Sequence, residues 1–352
     1  MNSSNVSHLS CFFLNVDLDQ TKDTSIAIIL TCTLNAVFSM LTSTGNIIIL
    51  YIICKKQELH SPSFTLLFCL SVSDLFVGLI CQPCFVIYNI AELSKHFNVY
   101  CKFRITQTIS SYITSGMSLL TLSGISIDRL LALTLHLRYN TVVTVNRIVR
   151  TVSVFWIVLI MVVVLRFWIS EWIIFSGLLL LSTFVVTALS TLKIFQIVRR
   201  HQRQITQQQQ SIEFNTITAL KCRKSAVTTI FVYGLFVFFY LPFGVTMLVD
   251  SFNGYTPGVK IAYKYTGTVV FINSFLNPLV YCWRIAEVRR AVKNLLKKNW
   301  KAPRKLLSQR QHRFLTVTEQ NTPDVMKTKF PIGNSSYWEM PVILDTFAFH
   351  VF

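Results

Sequence analysis

Charge is what this chain has least of. Only 14% of its 352 residues are Asp, Glu, Lys or Arg, against about 25% in an ordinary soluble domain. Acids are scarcer still, 15 against 33 bases. No His falls within a long apolar run, so no deep imidazole is available as a metal ligand or base, and the mid-span acid Asp74 has no second carboxylate. The residue sets that an intramembrane enzyme requires are therefore missing, and the chain is expected not to be an enzyme. Residues 1–23 have neither a basic start nor a long apolar run, so no cleavable signal peptide is evident. Internal repetition is also lacking: no second copy of the segment around Asp74 occurs, which weighs against the paired repeats of a secondary transporter, the competing membrane class.

Apolar residues fill the space that charge leaves. The chain is 52% hydrophobic with 28 Phe, more apolar surface than one core can hide. Stretches long enough to cross a bilayer, which takes about 20 residues, occur at roughly 24–54, 63–90, 103–133, 148–166, 173–198, 225–251 and 259–283. Of the 33 Lys and Arg, only Lys22, Lys95, Lys102, Arg104, Arg166, Lys260 and Lys264 fall on one side of these spans; the rest gather on the other. Basic residues collect on the cytoplasmic side, so the N-terminus is expected outside and the C-terminus inside. A net charge of +18 would point to nucleic acid in a soluble protein. Here orientation and contact with anionic lipid account for it, and nucleic acid is not an expected partner.

The expected fold is an all-α membrane protein, a seven-transmembrane helix bundle with a cytoplasmic amphipathic eighth helix. An extracellular segment, 1–23, precedes a membrane domain, 24–283. Over 284–298, Arg289, Arg290 and Lys293 interleave with Val288, Val292 and Leu295 as in a helix lying on a membrane surface. The polar remainder, 299–352, reads as a disordered cytoplasmic tail. Asn2 and Asn5 head glycosylation sequons on the expected outer side. Of the nine cysteines, most lie in apolar spans and read as small hydrophobes. Cys11 and Cys101 are the sole candidates for an external pair. Arg166 and Glu171, in a minimal turn between the fourth and fifth spans, are candidates to pair at the outer interface.

A few polar groups lie deep within the spans. Asp74 sits about ten residues from either end of its helix, hence roughly 15 Å deep, and an ionisable group there is a functional candidate by default. Asn46, Ser118, Asn273, Ser274 and Asn277 are possible partners from other spans. A carboxylate among neutral oxygens suits a small hard cation or a proton. Asp128 and Arg129 adjoin at the cytoplasmic end of the third span, where acid and base can neutralise one another. Pro83, Pro242 and Pro278 lie inside helices and permit kinks.

Together these residues resemble the rhodopsin-like, or class A, G protein-coupled receptors. Gly45-Asn46, the run Leu70 to Asp74 with Pro83, Ser123 through Asp128-Arg129-Leu130, Trp156, Phe236 with Pro242, and Asn277-Pro278-Leu279-Val280-Tyr281 match that family's motifs in order and spacing over about 24–298. The resemblance implies a plasma-membrane receptor that binds an extracellular ligand and activates a heterotrimeric G protein by outward movement of helix six. It implies an allosteric Na+ site at Asp74, Ser118, Asn273 and Asn277, with no other cofactor. Asp128, Arg129 and Tyr281 would serve G protein coupling, and Pro242, Asn277 and Pro278 would act as switch and kink. Arrestin would engage the tail.

Departures from the pattern are informative too. Leu130 replaces the usual Tyr, Tyr240 the Trp before the helix-six Pro, and helix five lacks its common Pro, with Thr191 where a Tyr is usual. The minimal second outer loop has no Cys, which resembles melanocortin-like receptors, although Cys84 stands in place of their peptide-binding Glu. Cys222, flanked by Lys221, Arg223 and Lys224, stands where many relatives place an acid that pairs with the helix-three Arg. A bioamine receptor would have an Asp where Ser111 stands, and an opsin a Lys where Phe271 stands. The expected ligand site is instead an aromatic pocket with hydroxyls and no central charge, formed by Ser111, Tyr112, Ser115, Tyr240, Phe243, Met247, Tyr263 and Phe271.

Overall fold

A computed structural model describes residues 10–11, 14–15, 22–135, 138–165, 172–207 and 212–295. The sequons at Asn2 and Asn5, the pair Arg166 and Glu171, the last residues of the expected amphipathic helix, 296–298, and the tail, 299–352, lie outside them. Eight helices carry the fold: α1 Lys22–Lys55, α2 Pro62–Leu93, α3 Phe97–Leu135, α4 Val145–Leu165, α5 Trp172–Gln207, α6 Ile212–Asn253, α7 Pro257–Arg284 and α8 Ala286–Leu295. The first six are each long and apolar enough to cross a membrane, and α7 qualifies when joined with α8. Helices α5 and α6 run past the apolar stretches read from sequence, because their polar extensions keep helical backbone beyond the spans.

The helix ends follow local chemistry. α6 stops at Asn253 because Gly254 adopts φ +72° and returns its N–H to the Asp250 carbonyl at 2.9 Å, a left-handed cap that suits glycine. α7 starts three residues after Gly254, where Thr256 Oγ1 accepts the Val259 N–H at 3.3 Å and Pro257 opens the first turn. α2 is not uniform. Pro83 cannot donate to the preceding turn, and Val77–Cys81 just before it is π-helical. There the Gly78 carbonyl accepts the Ser39 hydroxyl of α1 at 2.7 Å.

Burial is inverted relative to a soluble protein. Asn35, Asn46, Asp74, Gln82, Glu92, Lys260 and Lys264 are buried, whereas Met40 is 75% and Phe238 68% exposed. Polar groups inside and apolar groups outside suit a surface that faces hydrocarbon. At one end of the bundle a two-stranded hairpin, β1 Ser10–Cys11 with β2 Leu14–Asn15, is tied to the start of α3 by the disulfide Cys11–Cys101, whose Cα atoms lie 5.5 Å apart. The two expected external cysteines do pair; Cys32, Cys54, Cys69, Cys81, Cys84 and Cys282 are free.

The chain divides into two compact units, Met1–Val280 and Tyr281–Phe352. In the second, α8 sets Val288, Ala291 and Leu295 three to four residues apart on one face and exposed Arg289, Arg290 and Lys293 on the other. Within the first, α1 and α2 approach closely at Gly78. A Cβ added there would lie 2.6 Å from Ser43 Oγ and 3.0 Å from the Ser43 backbone nitrogen. Gly78→Val should therefore force the helices apart at a cost of about 1–3 kcal/mol. A thermal midpoint of the purified protein unchanged from wild type would contradict this packing.

Candidate functional site

Two polar layers lie within the bundle, one near mid-membrane and one near the end that carries the hairpin. Asp74 is the centre of the first. It is fully buried; Asn277 Nδ2 donates to Oδ2 at 2.7 Å and Ser118 Oγ to Oδ1 at 3.3 Å, while Ser73 lies 3.0 Å from Ser118. The structure thus joins Asp74 with Ser118 and Asn277. Asn273, expected in the same group, is buried one turn away, but no hydrogen bond links it to Asp74. Asn46 binds the carbonyls of Thr42 and Ser274 instead. Asn46 Oδ1, Ser71 Oγ and Thr121 Oγ1 are buried without a partner, so oxygen acceptors remain on the helices that surround the carboxylate. One carboxylate with hydroxyl and amide oxygens is a donor set that fits a hard monovalent cation.

Asp128 and Arg129 are less closely joined than adjacency suggests. Arg129 Nε stands 3.9 Å from Asp128 Oδ2, and its side chain is 36% exposed. The carboxylate is held by other groups: Ser63 Oγ donates at 2.7 Å and the Tyr139 hydroxyl at 2.5 Å. Tyr139 lies in the single helical turn Tyr139–Val142 between α3 and α4. Burial, with the Asp128 carboxylate beside it, holds its phenol above the usual range, so it remains a donor at neutral pH. The expected pairing of the adjacent acid and base is present as a long contact, and Asp128 is in addition bound by two neutral donors, Ser63 and Tyr139. The side chains around Cys222 lie outside the described residues.

All eight residues expected in the ligand site line one cavity of about 480 Å³, enclosed by α2, α3, α5, α6 and α7. Aromatic contacts shape its walls, with ring centroids 5.7 Å apart for Phe243 and Tyr263, 5.1 Å for Phe236 and Tyr240, and 6.1 Å for Phe85 and Phe271. The expectation of no central charge did not extend to charged residues elsewhere in the lining. Arg104, Asp250 and Lys264 are among its lining residues. Sequence reasoning had used the basic ones only to orient the chain, because charges near span ends ordinarily extend to the interface.

Behind the cavity wall lies the second polar layer. Glu92 of α2 is fully buried and pairs with two lysines of α7, Lys260 Nζ at 2.8 Å and Lys264 Nζ at 2.7 Å. Lys264 also donates to Asn89 Oδ1. A signal for this cluster was present in the spacing. Lys260 and Lys264 stand four apart, on one face of a helix, where like charges repel unless an acid lies between them. Removing that acid deprives two buried ammonium groups of the carboxylate they share, a loss of about 3–5 kcal/mol. Glu92→Gln should lower both the thermal midpoint and the amount of protein at the cell surface. A variant as stable as wild type would mean that the cluster does not hold α2 to α7.

Comparison with known proteins agrees with this arrangement. The family model for the seven-transmembrane receptors of the rhodopsin family matches residues 45–177 and 169–281. Among curated proteins, trace amine-associated receptor 7c of Rattus norvegicus is 26% identical over 286 residues, 72% of this chain and 78% of the relative. Trace amine-associated receptor 1 of Macaca mulatta is 26% identical over 301 residues, 75% of this chain and 86% of the relative.

Proposed function

Since the chain belongs to the rhodopsin family of seven-transmembrane receptors, and is a multi-pass membrane protein, we propose that it binds an extracellular ligand in the aromatic cavity and activates a heterotrimeric G protein. One observation carries this reading. α3 runs from the cavity, at Ser111, Tyr112 and Ser115, past Ser118 in the Asp74 layer to Asp128 and Arg129 at its far end. A ligand that moves α3 or its neighbours therefore acts on both inner groups through one rigid element.

In this proposal the N-terminus is extracellular, the C-terminus cytoplasmic, and the membrane is the plasma membrane. Ligand contact with Tyr240 and Phe243, which flank Pro242, biases α6 at its kink and opens the cytoplasmic end. Arg129, joined to Asp128 by a contact of 3.9 Å, meets the G protein there; Asp128 and Tyr281 are each assigned to the same coupling, and the tail engages arrestin. Asn277 and Pro278 give α7 its own point of adjustment. α8 rests its basic face on anionic lipid. Asp74, Ser118 and Asn277, with Asn273 in the same layer, hold Na+, which supplies positive charge to a buried carboxylate and favours the inactive state. No catalytic role is assigned to any residue. A transporter would move substrate instead of exchanging nucleotide, so vesicle uptake measured beside nucleotide exchange separates the two. The curated relatives are named for trace amines; for this chain an amine would meet a hydroxyl at Ser111 where a counter-charge is needed.

Two variants test the inner groups. Arg129→Ala should abolish nucleotide exchange on a co-expressed G protein at near-normal surface expression, and full exchange in that variant would remove its role. Asp74→Asn should eliminate any effect of NaCl, relative to a bulky cation at equal ionic strength, on agonist affinity. Retained sodium sensitivity would place the ion elsewhere.

A further inference from the structure

The charges around the cavity do not balance. Among the described residues, three cations, Arg104, Lys260 and Lys264, and two carboxylates, Glu92 and Asp250, lie in or next to the cavity wall. Both acids are engaged: Glu92 by the two lysines, and Asp250 by the Tyr263 hydroxyl at 2.9 Å. Arg104 is left over. No carboxylate among the described residues lies within 4.0 Å of its nitrogens, and its Nε is buried without a hydrogen-bond partner. What holds it is the face of Tyr88, with the guanidinium carbon 4.9 Å from the ring centroid. Lys264 Nζ lies 5.7 Å from the same ring, so two positive groups share one aromatic surface at the cavity edge.

A guanidinium cannot shed its proton at any physiological pH. A lysine in this position could become neutral; Arg104 stays charged, and its buried edge needs an acceptor. We infer that Arg104 is an anchoring site for an acidic group of the ligand, a carboxylate carried on a small apolar body. The inference rests on the cavity being the ligand site and names the class of ligand it takes. Two parallel N–H donors on the guanidinium edge match the two oxygens of a carboxylate, a fit that a point-charge ammonium lacks. Beyond this group the cavity wall turns apolar at Phe243, Met247 and Phe271, which suits an alkyl or aromatic body. A volume of about 480 Å³ is within the range of small-molecule sites. A protonated amine would enter a field of excess positive charge and find both acids occupied.

The test uses the full chain, purified, with ligand binding read as a rise in thermal midpoint. Decanoate, cinnamate and indole-3-acetate are compared with their uncharged amides and with tryptamine. The acids should stabilise wild type and the amides should not. Arg104→Gln should weaken acid binding by about tenfold to a hundredfold, the usual value of a charge-assisted hydrogen bond. Arg104→Lys, which keeps the charge and loses the fork, should fall between. Since Arg104→Gln can also perturb folding, the comparison of acid with amide in wild type stands by itself. Equal stabilisation by amides, stabilisation by tryptamine alone, no stabilisation by any acid, or undiminished acid binding in a folded Arg104→Gln protein would each overturn the assignment. Nucleotide exchange on a G protein is measured in parallel. Acid binding without any effect on exchange keeps the Arg104 site and removes the receptor reading, whereas exchange driven by tryptamine and indifferent to Arg104→Gln does the reverse.

Discussion

Polar side chains buried where hydrocarbon lies outside must find one another, and in this protein they do so along α7. Lys260 and Lys264 meet Glu92 of α2, Thr268 meets Asn35 of α1 at 2.8 Å, the Ser274 carbonyl meets Asn46 at 3.2 Å, and Asn277 meets Asp74 at 2.7 Å. Each contact lies about one or two helical turns from the next, so a single face of α7 carries a polar seam through much of the bundle. Hydrophobic burial does little to choose helix partners in a bilayer, because lipid is as apolar as the side chains. The seam therefore gives α1, α2 and α7 their mutual register. It also fixes the cavity, since α2 and α7 supply two of its walls.

The seam explains why charge lies close to a largely aromatic site. Glu92 cannot remain alone in the interior, and two lysines answer it. One of them, Lys264, lies against Tyr88, where Arg104 adds a second cation. The electrostatic character of the cavity is thus a by-product of how α2 is held to α7, modified by one residue of α3.

Much of this was legible in the chain itself. The spans followed from hydropathy, and the pocket residues from helical counting outward from the motifs, because a helix in a membrane keeps its periodicity without interruption. Asp74 and Asn277 were legible for a different reason: polar residues at that depth have few alternatives to one another. The charged residues near span ends were not legible, since Arg104 and Lys264 look the same in sequence whether they extend to the interface or turn inward. Asn273 shares the layer without bonding Asp74, because residues four apart on one helix face can reach different neighbours; here Asn277 reaches Asp74, and Asn273 lies a turn away. Tyr139 was missed altogether, as nothing in a short loop marks a tyrosine that caps an acid on an adjacent helix.

The π-helical turn of α2 has a consequence for direction. Asp74 and Glu92 are eighteen positions apart, and in an unbroken α-helix eighteen residues complete about five full turns, which would aim both carboxylates the same way. The wide turn at Val77–Cys81 absorbs one residue without advancing the spiral by its usual angle, so everything beyond it is set back by roughly 100°. The inner half of α2 can then present Asp74 to α3 and the far part of α7, while the outer half presents Glu92 to the lysines at the near end of α7. A single surplus residue re-aims one half of a helix relative to the other.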